Sequence, residues 1–149
     1  MAAIFSKVRL IQMKFNAKVI QRWKNGIVGE VLITRSKISF LGDVDAGTGK
    51  IIGSDIDIKG ETVKDKILIF PEGRGSTVGS NVIYGLSRKG LAPKLIATCR
   101  AEPITISGAI YGEVPMVSNL SEKIFDQVKN HAKASVTIAN GEALIEVTT

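Results

Sequence analysis

The sequence predicts an α/β domain in which many short strands and a few helices form a compact, barrel-like structure. The interior is expected to be aliphatic, because hydrophobic residues make up 44% of the chain and aromatic residues only 5%. The 149 residues suit one domain with a single sizeable core. Many short apolar runs and few helical patterns favour this architecture over a doubly wound sheet.

The strands are predicted from short runs of apolar, mostly β-branched residues. These runs cover residues 17–20, 27–34, 38–40, 66–70, 95–99, 114–117, 135–139 and 143–147. The run at 66–70 predicts a fully buried strand, because four of its residues are apolar in succession. Asn25 and Gly26 predict a turn after the first strand, and Asn140 with Gly141 predicts a hairpin that closes the domain.

Three segments have helical patterns. Residues 77–89 carry apolar side chains at helical spacing, at Val78, Val82, Ile83 and Leu86. Gly90 follows them, where a helix C-terminal glycine is common. Residues 101–111 predict a short helix with Pro103 near its start, and residues 122–132 a modest one.

The segment at 70–80 carries the strongest functional pattern in the chain. It joins the end of the predicted buried strand to the start of the helix at 77–89. Gly73 and Gly75 can adopt positive φ without steric penalty, so the backbone can turn tightly and direct its amides at a ligand.

An anion site is expected at this turn. Ser76 or Thr77 is predicted to be the N-cap of the helix, whose unpaired amides and positive dipole end would face a carboxylate or phosphate. Arg74 can add a two-pronged contact to the same anion. The alternative is a tight connection with a capping serine and no ligand.

Three better-known motifs do not fit. The glycine spacing at 73–79 misses the dinucleotide fingerprint by one position, so a Rossmann site is not expected. The stretch at 47–51 is similar to a P-loop but has isoleucine where the metal-binding hydroxyl must stand. The stretch at 43–54 starts like a calcium loop but has serine in place of the bidentate glutamate, and it predicts a turn.

The chain is basic, with a net charge of +6 and a pI near 9.6. Six basic residues fall in the first 24 positions: Lys7, Arg9, Lys14, Lys18, Arg22 and Lys24. This charge can steer an acidic subunit, a phosphorylated substrate or RNA, but a solvated face is the favoured interpretation. Nucleic acid is not an expected partner, because zinc-ligand spacings, RNA-binding aromatic motifs and helix-turn-helix punctuation are absent from the sequence.

The single cysteine excludes an internal disulfide and fits a reducing compartment. Cys99 ends an apolar run and is predicted to be a small buried side chain, and His131 lies in a polar stretch and is predicted to be solvated. One thiolate cannot hold an iron-sulfur cluster, so this chain is expected to bind no cofactor. Because no apolar stretch approaches ~20 residues and no signal-peptide pattern stands at the start, we expect a cytoplasmic protein without a membrane segment.

Three blocks of residues, in this order, resemble the aconitase X swivel domain. They are residues 42–45 with 48–49, residues 67–80, and residues 101–104 with 108–110. The resemblance extends over roughly residues 15 to 148. It predicts a swivel domain at 14–149, preceded by an extension at 1–13 with Met13 as an alternative start.

The resemblance implies a layered, swivelling β/β/α domain and a role as the small subunit of a heteromeric hydro-lyase. An iron-sulfur cluster, expected to be of the 4Fe-4S type, would belong to the large subunit. The implied reaction is dehydration of the phosphorylated hydroxy acid (R)-5-phosphomevalonate to trans-anhydromevalonate 5-phosphate, in the archaeal mevalonate route to isoprenoids. Two alternatives stay open: dehydration of cis-3-hydroxy-L-proline, and a non-catalytic basic module that binds phosphate or RNA.

The resemblance also implies roles for individual residues. Ser76 would be the base, and the amides around Gly75 and Thr77 would stabilise its alkoxide. Arg74 would either add positive charge there or bind the substrate carboxylate or phosphate, so Arg74, Gly75 and Thr77 are the expected substrate-binding residues. Three further residues match the family blocks, with a structural role favoured for the first two and both roles open for the third: Asp45, Thr48 and Glu102.

Overall fold

A computed structural model describes residues 12–148, which contain seven strands and four helices. The strands are β1 (Gln12–Gln21), β2 (Ile27–Ile33), β3 (Lys66–Phe70), β4 (Leu95–Thr98), β5 (Met116–Ser118), β6 (Lys133–Ala139) and β7 (Glu142–Thr148). The helices are α1 (Phe40–Asp43), α2 (Gly79–Arg88), α3 (Pro103–Gly112) and α4 (Ile124–Gln127).

The seven strands form one sheet that closes in a ring, in the order β1-β5-β4-β3-β2-β6-β7 and back to β1. Strands β2 to β5 run parallel to their neighbours in this set, and the remaining pairs are antiparallel. The ring closes where β1 pairs with β7, from Gln12 opposite Thr148 to Lys18 opposite Glu142. The predicted mixed α/β fold with a closed sheet is confirmed.

Alternation along the strands separates two apolar cores. On β3, Ile67 and Ile69 belong to a cluster that receives residues from all seven strands and therefore fills the ring. Leu68 and Phe70 point the other way, into a second cluster shared with α1, α2 and α3. Because all four side chains are fully buried, the prediction of a strand covered on both faces is confirmed.

The two longest helices pack together over the outer face of the parallel strands. They approach closely at Gly108 of α3, where a Cβ atom would lie 2.6 Å from Cδ1 of Ile83 on α2. Helix α2 ends at Arg88, and Gly90 just beyond it has a φ of 71°, as predicted for a glycine at a helix C-terminus. The Leu91 amide donates to the Leu86 carbonyl and completes this helix end.

The hairpin predicted at the end of the domain is also confirmed. Strands β6 and β7 pair from Lys133 opposite Thr148 to Ala139 opposite Glu142. The two connecting residues, Asn140 and Gly141, have φ values of 54° and 80°, and the type I′ turns favoured in hairpins require positive φ at both positions.

The strand predicted at 38–40 is wrong, because helix α1 begins there and Ile38 contributes only an isolated bridge to Gly73. The Ser39 amide donates to the Asp43 carboxylate at 2.7 Å, which closes a helical turn. Phe40 packs edge-on against Phe70 with ring centroids 6.0 Å apart. Local capping and this contact outweigh the β propensity of the segment.

The helix predicted at 122–132 is shorter than expected, since α4 ends at Gln127. Beyond it, the Asn130 side chain accepts from the Ile33 amide at 2.6 Å and donates to the Ile33 carbonyl at 3.1 Å. His131 then adopts a φ of 72°, which an α-helix does not allow. These long-range bonds end the helix.

The predicted extension at 1–13 lies mostly outside the described residues, which begin at Gln12 in β1. Within those residues, no helix is both long enough and apolar enough to cross a membrane.

Candidate functional site

The loop at 71–78 connects the end of β3 to the start of α2. Strands β2, β3 and β4 are parallel, so their carboxyl ends meet at one edge of the sheet and the loop lies on that edge. Ligand sites of open α/β sheets commonly lie at this edge.

Backbone hydrogen bonds fix the loop from two sides. The Arg74 amide donates to the Ile38 carbonyl at 2.9 Å, and the Ile38 amide donates to the Glu72 carbonyl at 3.3 Å. The Pro71 carbonyl accepts from the amides of Cys99 and Arg100, each at 3.0 Å. The first half of the loop is therefore tied to the segments that follow β2 and β4.

Two glycines are needed for the close packing of this loop. A Cβ atom at Gly73 would overlap the Thr105 hydroxyl and the Glu102 carboxylate. Gly75 has a φ of 99°, and a Cβ atom there would lie 2.7 Å from the Ser39 hydroxyl. The sequence-based expectation of positive φ is confirmed at Gly75 but not at Gly73, where crowding requires the glycine.

Ser76 is half-buried, and its hydroxyl oxygen accepts from the Val78 amide at 3.2 Å. The predicted N-cap is wrong: α2 begins at Gly79, and its N-cap is Val78, which makes no side-chain capping bond. Ser76 and Thr77 instead form a tight turn before the helix, in which the Gly79 amide donates to the Ser76 carbonyl at 2.9 Å.

The backbone around Ser76 retains donors for a ligand. Within residues 12–148, the amides of Gly75, Ser76 and Thr77 donate no hydrogen bond to another described residue. They stand just ahead of α2, a ten-residue helix whose positive dipole end adds to their field. These donors and the positive helix end suit an anionic ligand, and the anion site stays a prediction.

Arg74 is held more loosely than the other cations nearby. Its Nη2 lies 3.5 Å from Oδ2 of Asp43, and its side chain is 54% exposed. By contrast, Lys37 and Arg100 both contact the Glu72 carboxylate, at 3.0 Å and 3.4 Å. Arg74 thus has donors left for a ligand.

Glu72 is held in its charged form. The hydrogen bond from Lys37 is the largest cause that lowers the pKa of the Glu72 carboxyl, and the charge of Arg100 lowers it further. Arg100 also bonds Glu122 at 2.9 Å. These groups form an ion-pair network beside the loop, whereas Arg74 has one long contact.

The family blocks meet only in part. Asp43 contacts Arg74, and Glu102 packs against Gly73, so these members of three blocks lie together. Glu102 is the N-cap of α3 and accepts from the amides of Ile104 and Thr105 at 3.0 Å and 2.6 Å. Its contacts are those of a capping residue.

Asp45 and Thr48 bond to each other instead of to the loop at 71–78. Asp45 accepts from the Gly47 amide at 3.0 Å and from the Thr48 hydroxyl at 2.8 Å. These two bonds, the first being the larger cause, lower the pKa of the Asp45 carboxyl. The turn predicted in place of a calcium loop is what the structure has here.

The described residues do not fit a cluster or metal site. Within 12–148, no group of three or more histidine, cysteine, aspartate or glutamate side chains could hold a metal ion. Cys99 is buried, and this burial is the main cause that raises the pKa of its thiol. The predicted buried cysteine is confirmed, and His131 is exposed as predicted but bonds Glu30.

Sequence reasoning missed the partners of the loop. Asp43 and Ser39, which contact Arg74 and Gly75, were not predicted to belong to the site. The available signal for Asp43 was its place in the family block at 42–45.

Comparisons with known proteins cover most of the chain. The profile of the aconitase X swivel domain matches residues 15–147. The phosphomevalonate dehydratase small subunit of Pyrococcus abyssi is 47% identical over 122 residues, which cover 82% of this chain and 92% of that protein. The protein of the same name from Archaeoglobus fulgidus is 43% identical over 129 residues, covering 87% and 96% of the two chains.

A solved structure agrees with these sequence matches. The crystal structure of Thermococcus kodakaraensis aconitase X in its holo-form superposes with a TM-score of 0.79 at 39% identity, and the match covers 89% of this chain and 98% of that chain.

Proposed function

This chain belongs to the aconitase X swivel domain family, and from that premise we propose that it is the small subunit of a heteromeric hydro-lyase. The proposed reaction converts (R)-5-phosphomevalonate to trans-anhydromevalonate 5-phosphate with loss of water, in the archaeal mevalonate route to isoprenoids. The names of the P. abyssi and A. fulgidus relatives support this substrate. The proposed partner is a large subunit with an iron-sulfur cluster, expected to be 4Fe-4S, which would polarise the departing hydroxyl.

The reaction needs a base opposite the departing hydroxyl. The base takes a proton from the carbon next to the carboxylate, and the electron pair of that C–H bond forms the new double bond. The neighbouring carbon loses hydroxide, which takes up a proton and leaves as water. The proton is weakly acidic, so the base must be positioned and activated. We assign this base to the Ser76 hydroxyl.

The single observation that carries the assignment is the setting of Ser76. Its oxygen accepts the Val78 amide at 3.2 Å, and a donor to that oxygen favours its deprotonated form. The amides of Ser76 and Thr77, which bond no other described residue, and the start of α2 add positive potential at the same place. Ser76 is also not fully buried, so a substrate can reach it.

The substrate anion is proposed to bind beside Ser76. The exposed guanidinium of Arg74 suits a carboxylate or phosphate, which it can contact with two parallel N–H bonds. The amides of Gly75 and Thr77 would complete the binding site, since they donate no hydrogen bond to another described residue.

The large subunit is proposed to cover the face that carries this loop. Three apolar side chains are exposed there: Leu41 on α1 at 47%, Ile52 at 50% and Val78 at 45%. They are neighbours, because Ile52 donates its amide to the Asp43 carbonyl at the end of α1, and the Leu41 amide lies 3.9 Å from a Cβ atom placed on Gly79. Exposed apolar patches with a polar rim are typical of interaction surfaces.

Replacing Ser76 with alanine tests the base directly. In the reconstituted two-subunit enzyme, Ser76→Ala is expected to lower kcat by about 10²- to 10⁴-fold while the subunits still assemble, because only the proton acceptor is removed. The assay follows phosphomevalonate and cis-3-hydroxy-L-proline side by side, and the small subunit alone should turn over neither.

Ser80→Ala is the matched control. Its hydroxyl lies one helical turn further on and donates to the Thr77 carbonyl at 2.9 Å, so its removal is expected to leave kcat near the wild-type value. Near-normal turnover by the Ser76→Ala enzyme would reject the assignment of the base.

A further inference from the structure

Asp43 is a buried carboxylate at the edge of the candidate site. Its exposed fraction is 7%. Among the described residues, no other aspartate and no glutamate, lysine or arginine is buried. Burying a carboxylate is unfavourable unless partners compensate for the lost water. Its partners therefore indicate what it does.

Two groups contact the same oxygen of Asp43. The Ser39 amide donates to Oδ2 at 2.7 Å, and Arg74 approaches Oδ2 with Nη2 at 3.5 Å. The other oxygen, Oδ1, lies against the backbone of Gly53, where an added Cβ atom would overlap it. The carboxylate is thus fixed by the backbone, while Arg74 reaches it from solvent.

The ion pair between Asp43 and Arg74 is weak, but it leaves part of the guanidinium unoccupied. At 3.5 Å and with the arginine 54% exposed, the pair gives little stability. It involves one end of the guanidinium, so the remaining N–H donors stay available for a ligand. A substrate anion can therefore bind without displacing the pair.

We infer that Asp43 is a positioning residue: it holds Arg74 in the orientation that receives the anionic group of the substrate. This inference rests on the proposed function, in which Arg74 binds that group. An oriented guanidinium loses less side-chain freedom when the substrate binds, which favours affinity.

A purely structural role for Asp43 makes a different prediction. Asp43 also closes α1 by accepting the Ser39 amide, and this bond alone can explain its burial. In Asp43→Asn the amide oxygen can still accept from Ser39, but the negative charge facing Arg74 is gone. The substitution therefore separates the two roles.

The experiment is a double-mutant cycle in the reconstituted enzyme with phosphomevalonate as substrate. Asp43→Asn is expected to lower kcat/KM about 10-fold, mainly through a higher KM, as is typical when the partner of a binding group is removed. In an Arg74→Ala background the same substitution is expected to have no further effect, because the group it positions is absent.

Several outcomes overturn the inference. Wild-type kcat/KM in Asp43→Asn would do so, and so would an equal loss in both backgrounds, which would mean that Asp43 acts independently of Arg74. If Arg74→Ala alone keeps wild-type kcat/KM, the proposed binding role of Arg74 is wrong, and the inference about Asp43 is wrong with it. The Ser76→Ala experiment tests the assignment of the base independently of this result.

Two further variants complete the design. Asp55→Asn is the matched control: Asp55 is exposed in the segment between α1 and β3, and the variant is expected to keep wild-type kcat/KM. If Asp43→Asn does not fold, Arg74→Lys tests the inference on an intact Asp43. A single ammonium cannot contact Asp43 and present a planar fork to the substrate, so a similar rise in KM is expected and its absence overturns the inference.

Discussion

His131 forms an ion pair far from the candidate loop. It contacts Glu30, which pairs with the first residue of β3, whereas the loop follows the last residue of β3. The hydrogen bond to Glu30 is the largest cause that raises the pKa of His131 above its ordinary value of 6.5, and Glu61 adds to it. The same bond is the largest cause that lowers the pKa of Glu30. The bond therefore favours the charged form of each group.

This pair predicts a pH dependence of stability. Because the folded pKa of His131 is raised, its contribution is fully present below pH 6.5 and is lost as the pH rises through the folded pKa. The difference in free energy of unfolding between wild type and His131→Asn should therefore shrink from pH 6 toward pH 9. Asparagine is the suitable replacement, since it tolerates the positive φ found at this position.

Urea unfolding at several pH values measures this difference, and NMR titration gives the pKa of His131 directly, since it is the one histidine of the sequence. A titration midpoint at or below 6.5 would contradict the prediction.

At the residue scale, the sequence located the loop but not its contacts. Proline and glycine mark turns by their own backbone chemistry, so the segment around Gly75 could be identified without a structure. The partner of Arg74 is 31 residues away, and no local pattern reports such a contact. Ser76 looked like an N-cap because a serine ahead of a helical pattern is typical of one, but the helix begins at Gly79 and the Ser76 hydroxyl accepts from the Val78 amide ahead of it.

At the element scale, Glu102 connects helix α3 to the loop. It accepts from the amides of Ile104 and Thr105 and also from the buried Thr105 hydroxyl, and it packs against Gly73. A change at this residue therefore affects both the start of a helix and the floor of the candidate site.

Glu102→Ala is expected to lower the free energy of unfolding by about 1 to 2 kcal/mol, because the cap is lost and the Thr105 hydroxyl loses its acceptor. Glu102→Gln, which keeps one oxygen as an acceptor, should lose less. Chemical unfolding measures both, with Glu142→Ala, at an exposed position, as the control expected within ~0.5 kcal/mol of wild type. Equal stability of Glu102→Ala and wild type would show that the cap contributes nothing.

Element predictions succeeded where one pattern dominated the segment. The apolar run of β3 and the Asn140–Gly141 hairpin were placed correctly, since strand burial and turn chemistry are encoded locally. The predictions failed at α1 and α4, where the Ser39–Asp43 bond and the Asn130–Ile33 bonds decide the outcome. The last of these joins residues 97 apart, which is beyond the reach of any periodicity.

At the scale of the whole molecule, ring closure depends on pairings between the two ends of the described chain. Strand β1 pairs with β5 and β7, although Asn25 and Gly26 suggested a simple turn toward β2. Composition and periodicity predicted a barrel-like α/β domain without this strand order. The family resemblance supplied the layered architecture, because it carries information on the whole fold.

The proposed contact with the large subunit is tested by a charge placed on its surface. Leu41→Asp is expected to weaken association more than 10-fold, because a desolvated carboxylate would replace an apolar contact. Calorimetry with the purified large subunit measures the affinity. Val28→Asp is the control, because Val28 is also exposed, at 65%, but lies near the start of β2, away from the edge that carries the loop. The affinity of this variant for the large subunit should not change. Unchanged binding by Leu41→Asp would place the interface elsewhere.

The closed ring limits how another protein can attach to this one. Each of the seven described strands has a neighbour on both sides over at least part of its length, so none of them is an edge strand throughout. Strand addition, in which a guest peptide extends an open sheet edge, therefore finds no full-length edge strand among these residues. A partner protein is expected to contact side chains and the connecting segments at the ends of the strands. Substitutions in those connecting segments would change which partner binds without disturbing the sheet.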